Sequence, residues 1–166
     1  MFDVVEVDGV CVTSATHTLL DLAARLSDAT WEQALESALR KQLTSIAAIE
    51  AGLPEMSRAR TPGVRTIRRV LQRRPTNAPP TESLLETLAI QLFRLEGFPE
   101  PQRQVVVTTR HGSFVARVDL AWPELGVFVE LDGQHHRGQP SMTRTGRTVS
   151  WERPAGSALG SPGPRS

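Results

Sequence analysis

The spacing of apolar residues along the chain changes character twice, from strand to helix and back to strand. Val10 to Val12 follow an Asp8-Gly9 turn and predict a short strand. From Ser14, a helix cap, the positions Leu19, Leu20, Leu22, Ala23 and Leu26 recur at helical spacing. A second helix is predicted from Thr30, with Gln33 as its capping-box partner and Trp31, Leu35, Ala38 and Leu39 on one side. A third starts after Thr44, runs through Ile46 and Ile49, and stops at Gly52. Thr61-Pro62 opens a fourth, with proline at the tolerated first position. Its narrow stripe of Val64, Ile67, Val70 and Leu71 turns the arginines outward.

Pro75 to Pro80 reads as a linker. Thr81 is the predicted cap of a fifth helix, Glu82 to Glu96, ended by Gly97. Leu85, Leu88, Ala89, Leu92 and Leu95 form its predicted buried stripe. Strand candidates then cover residues 104–108, 113–120 and 126–132, and the short connection 109–112 predicts an antiparallel hairpin. From Gly138 onward neither period is visible, and the Ser/Thr/Gly/Pro/Arg-rich residues 141–166 are expected to be disordered. The expected fold class is α+β. It comprises a helical region with a short strand (1–74), a linker (75–80), a helix with a three-stranded sheet (81–140) and a tail (141–166).

A chain of 166 residues can form one good core or two small ones. No run of about 18 apolar residues is present, and the acidic start Met1-Phe2-Asp3-Val4-Val5-Glu6 lacks the order of a secretory signal, so a cytoplasmic location is expected. Cys11 is the only cysteine, which excludes an intramolecular disulfide and a thiolate-rich zinc site and predicts a buried, inert thiol. The net charge of +1 conceals an asymmetry. Residues 1–57 hold three basic and nine acidic side chains, whereas residues 58–81 hold seven arginines and no acid. Arg65, Arg68, Arg69 and Arg73 are therefore candidate contacts to nucleic-acid phosphates, because the guanidinium fork matches phosphate oxygens. The competing reading is a solvated face paired with the acidic N-terminal part.

The candidate chemistry lies near the end of the patterned region. Asp119 closes one apolar segment, and Val127 to Val129 lead into Glu130-Leu131-Asp132-Gly133 and His135-His136. Residues two apart on a strand share a face, so Glu130 and Asp132 would point together. Converging carboxylates repel, and a divalent cation relieves that cost; oxygen-only ligands suit Mg²⁺ or Mn²⁺. Metal-assisted phosphodiester hydrolysis is the chemistry implied. A plain Asp-Gly turn after a strand is the alternative. Glu82 and Glu86, four apart, share a helix face where acids also favour the macrodipole.

A helix with Glu82 and Glu86, three strands, Asp119, and Glu130 to Gly133 with His135-His136 resembles the PD-(D/E)XK nuclease superfamily. More closely, it looks like the Vsr-like domain of unknown function, related to very-short-patch repair endonucleases and widespread in actinobacterial proteins. In that group a helical region often precedes the domain, in type IV toxin–antitoxin or AbiEi-like proteins. Residues 12–23 and 81–86 are similar to that arrangement, and the resemblance covers residues 8–140. It implies a Mg²⁺-dependent (or Mn²⁺-dependent) DNA endonuclease, a hydrolase with Asp119 and Glu130 as metal ligands and Glu86 as the helix carboxylate. Asp132 would stand where the superfamily usually has lysine, and His136 or His135 would orient or deprotonate the attacking water. The superfamily core continues with a helix and a strand after Gln139, where no such pattern is visible. A truncated, inactive core is the corresponding expectation. A non-catalytic DNA-binding or toxin–antitoxin regulatory protein is the alternative.

Overall fold

The N-terminal pattern conceals one strand. In the computed structural model, which describes residues 4–109 and 111–131, β1 (Val4–Val7) pairs antiparallel with β2 (Val10–Thr13). Every residue of this ribbon is exposed. Cys11 is therefore an exposed thiol rather than a buried one, because no second layer covers the hairpin.

Four helices follow: α1 (Ala15–Leu22), α2 (Asp28–Arg40), α3 (Ile46–Arg58) and α4 (Val64–Arg73). Ser14 caps α1 as expected, its hydroxyl accepting from the His17 amide. The cap of α2 is Ser27 and not Thr30: the Ser27 hydroxyl takes the Thr30 amide, which starts the helix earlier. Gly52 does not stop α3. It lies within the helix because a Cβ there would sit 2.5 Å from Leu20 Cδ1, so the glycine serves close helix packing. Nor does Thr61-Pro62 open α4; Gly63 is its N-cap at φ 99°, and a Cβ there would meet the Ala23 and Ala24 backbone at 2.7 Å. These helices enclose a core centred on Trp31, Leu35, Ile49 and Ile67, each fully buried.

Helix α5 (Leu84–Leu95) packs on α2 and reverses the predicted orientation. Ser83, not Thr81, is its cap. Its buried residues are Glu86, Thr87 and Ile90, whereas Leu85, Leu88, Leu92 and Leu95 of the expected core stripe are exposed, Leu95 at 84%. The cause is the polar seam to α2. Arg94 bridges Glu32 (2.9 Å) and Glu100 (2.8 Å), while Gln91 donates to Glu32 and to the Ala29 carbonyl. Burial alone would lower the proton affinity of Arg94, but the hydrogen bonds that it donates to Glu32 and Glu100 outweigh it and hold the guanidinium more firmly charged.

The sheet has the order β3-β4-β5, all antiparallel, with β3 at Gln102–Thr108, β4 at Phe114–Trp122 and β5 at Val127–Val129. The expected hairpin is present, closed by Thr109 N–H to the Ser113 carbonyl at 2.8 Å. A single 3-10 turn, Pro123–Leu125, joins β4 to β5. Val118, Leu120 and Trp122 alternate along β4 and are buried. Trp122 meets Phe93 of α5 edge-on at 5.0 Å and donates its indole N–H to the Pro99 carbonyl at 2.7 Å. The architecture is α+β, with the helices ahead of the sheet.

The 75–80 segment forms no helix or strand, yet it is tied down. Glu36 of α2 is 1% exposed and accepts from Arg103 (2.7 Å), Arg74 (3.2 Å) and the Thr81 amide (3.1 Å). Arg103 also donates to the Pro79 carbonyl at 3.3 Å. Burial holds the Arg74 guanidinium below its ordinary proton affinity, against the opposing pull of Glu36. Among the described residues no helix is long and apolar enough to cross a membrane.

Candidate functional site

Two of the sequence-selected positions, Glu82 and Glu86, lie where the start of α5 meets the sheet. Ser83 and Glu86 form a capping box: the Ser83 hydroxyl accepts the Glu86 amide at 3.1 Å, and the Glu86 carboxylate reaches back to the Glu82 amide at 2.9 Å. Glu86 is 4% exposed and also accepts from the Ser83 hydroxyl (3.1 Å) and from Gln104 Nε2 (3.1 Å). Both of its oxygens are thus engaged. Glu82 is exposed and pairs with Arg117 of β4 at 2.9 Å.

Gln104 is the residue that sequence reasoning missed. Arg103 pairs with Leu120 and Val105 with Val118, so the register sets Gln104 opposite Asp119. Its φ of 51° is an uncommon value for a non-glycine residue inside a strand. No pattern of hydrophobic period or turn residues marks such a position.

Asp119 is half-buried on β4, and its Oδ2 accepts the Leu131 amide at 2.8 Å. Leu120 pairs with Val129, the last residue of β5, and Glu130 follows it in the chain, between Val129 and the Leu131 amide that Asp119 holds. Glu130 is exposed just past the end of β5, which is shorter than the strand expected to run to residue 132. It has no hydrogen bond or ion pair among the described residues. Glu86 is thus joined to Gln104, and Asp119, in register across from Gln104, is joined to the Leu131 amide next to Glu130. Among the described residues no group of three His, Cys, Asp or Glu side chains is close enough to hold a metal ion. Asp132, His135 and His136 lie outside the described residues.

The arginine block divides into two. Arg69 makes a bidentate pair with Asp28 at 2.7 and 2.8 Å, and Arg73 approaches the same carboxylate at 3.5 Å. Arg74 faces inward to Glu36, against the expectation that the arginines of this helix all face out. For these three the reading of pairing with the acidic N-terminal part holds. Arg65 is exposed without an ion pair among the described residues, and Arg68 contacts the Ser57 hydroxyl at 3.3 Å.

The Asp28 pair carries a pH dependence. The hydrogen bond from Arg69 holds the Asp28 carboxyl below its ordinary value of 3.8, despite some opposing burial. A depressed folded pKa adds stability above the unfolded pKa, and that stability is lost as pH falls through the folded value. Asp28→Asn is expected to cost at most about 1 kcal/mol near neutrality, since the pair is surface-screened, and the difference should vanish once pH is well below 3.8. Urea unfolding of both chains across that range measures it.

Comparison with protein-family models, with curated proteins and with solved structures finds no match to this chain.

Proposed function

We propose that this chain is an endonuclease-like hydrolase of DNA phosphodiester bonds that uses Mg²⁺ or Mn²⁺, with Asp119 and Glu130 as metal ligands. The supporting observation is that Glu86 holds Gln104, which lies in register across from Asp119, while Asp119 holds the Leu131 amide next to Glu130. The donors are hard carboxylate oxygens, as these cations require. Asp119 spends one oxygen on the Leu131 amide, which fixes its orientation, and keeps the other. A bound cation would activate water and stabilise charge building on the phosphate. Glu86, both oxygens engaged, is assigned a positioning role: it holds the start of α5 against β3. Asp132 and His136 enter by sequence alone, as acid and water-orienting group.

DNA rather than RNA and a Vsr-like ancestry are parts of the same reading and rest on the resemblance; a cytoplasmic location rests on the acidic start of the chain and on the lack of a long apolar run. A second reading, a non-catalytic DNA-binding or type IV toxin–antitoxin regulatory protein, is favoured by the full engagement of Glu86. Calorimetric titration of Mg²⁺ and Mn²⁺, with nicking of supercoiled plasmid, tests both. Asp119→Ala combined with Glu130→Ala is expected to abolish saturable metal binding and slow nicking on the order of 100-fold or more, the loss of several kcal/mol of transition-state stabilisation. Metal binding without nicking by the parent chain selects the second reading. No metal binding by the folded parent removes the enzymatic one.

A further inference from the structure

We infer that a concavity between the end of α3 and the start of α4 is a binding site for a phosphate group. Charge segregation carries the inference. Every described arginine from Arg69 onward reaches a carboxylate: Arg69 and Arg73 on Asp28, Arg74 and Arg103 on Glu36, Arg94 on Glu32 and Glu100, Arg117 on Glu82. Arg58, Arg60, Arg65 and Arg68 form no ion pair among the described residues, and they are neighbours in the fold. Three of them, Arg60, Arg65 and Arg68, line an open surface depression of about 360 Å³ together with the hydroxyl residues Ser57 and Thr61, and its lining includes no carboxylate.

Like charges gathered in a concave surface repel one another unless an anion joins them, and the concavity raises their joint potential. Guanidinium forks match phosphate oxygens bidentately, and hydroxyls supply further donors. The Arg68 fork is already held by the Ser57 hydroxyl at 3.3 Å. Gly63, also in the lining, lies against the Ala23 and Ala24 backbone, and as N-cap it brings no side chain to the first-turn amides of α4. The site is separate from the carboxylates at the start of α5 and does not depend on the reading of those carboxylates. Its ligand is a phosphate that is either free or part of a nucleic-acid backbone.

The test uses the full chain and two probes at fixed ionic strength: inorganic phosphate, and a short DNA duplex without terminal phosphates. Binding is followed by titration calorimetry and amide chemical shifts, with circular dichroism confirming the fold of each variant. Arg60→Ser with Arg65→Ser is expected to weaken binding of at least one probe tenfold or more. Arg65→Lys, which keeps the charge and loses the fork, should give an intermediate loss. Lys41→Gln, outside the cavity, should leave binding unchanged. Phosphate binding that is lost in the double variant assigns a free-phosphate site; duplex binding alone, lost in the same way, assigns a backbone contact. A folded parent chain that binds neither probe, or binding that the arginine variants leave intact, overturns the inference.

Discussion

Glu36→Ala is expected to destabilise the fold by about 3–5 kcal/mol, because it leaves two arginines facing a buried site without their counter-charge. Arg103 has a side chain 1% exposed and Arg74 one 9% exposed, and both lie on the Glu36 carboxylate. The same substitution removes the acceptor of the Thr81 amide, a second buried group left unsatisfied. Urea unfolding followed by circular dichroism gives the number. The pairing is costly to break yet not the only way to fill the space. Replacing Glu36, Arg74 and Arg103 together by methionine should recover much of the loss, since a buried ion cluster and an apolar cluster of similar volume are often close in stability. A single Glu36→Ala variant within about 1 kcal/mol of the parent would mean that water reaches the cluster and satisfies it.

This cluster also marks the limit of what the sequence makes legible. Helical spacing identified five helices, and alternation with turn residues identified the three-stranded sheet, because both depend on neighbours within a few positions. The caps of α5 and α2 are Ser83 and Ser27 where Thr81 and Thr30 were expected, because residues with similar capping hydroxyls lie within three positions of one another and local sequence alone does not rank them. The orientation of α5 was read from amphipathicity, which assigns the leucines to the interior. The helix instead buries Glu86, Thr87 and Ile90, because its partner α2 offers Glu32, which Arg94 and Gln91 of α5 meet. Arg94 lies about sixty residues from Glu32 in sequence, as Arg103 does from Glu36, and no periodicity encodes either pairing. In the same way Asp119 and Glu130 were visible as acids at strand ends, whereas Gln104 became visible only through the register of β3 on β4.

Trp31→Ala is the second substitution expected to have a large effect, about 3–5 kcal/mol, and its consequences should extend beyond the helical core. Trp31 is fully buried, and its indole N–H donates to the Leu19 carbonyl at 2.8 Å, linking α2 to α1. Trp31→Phe keeps most of the apolar volume and loses that bond, so its cost should be clearly smaller. Helix α2 faces two ways: Trp31, Leu35, Ala38 and Leu39 belong to the helical core, while Glu32 and Glu36 hold α5 and β3. The sheet, with only a small core of its own around Val107, Val118 and Ala121, depends on that second face. Loosening α2 from within should therefore lower hydrogen-exchange protection of the Val105 and Val118 amides in step with that of Leu35 and Ile49. Coupled loss would make α2 the support on which Asp119 and Glu130 are held in register. If the strand amides instead keep their protection while the helices lose theirs, the 75–80 segment is a true domain boundary and the carboxylate site stands on the sheet alone.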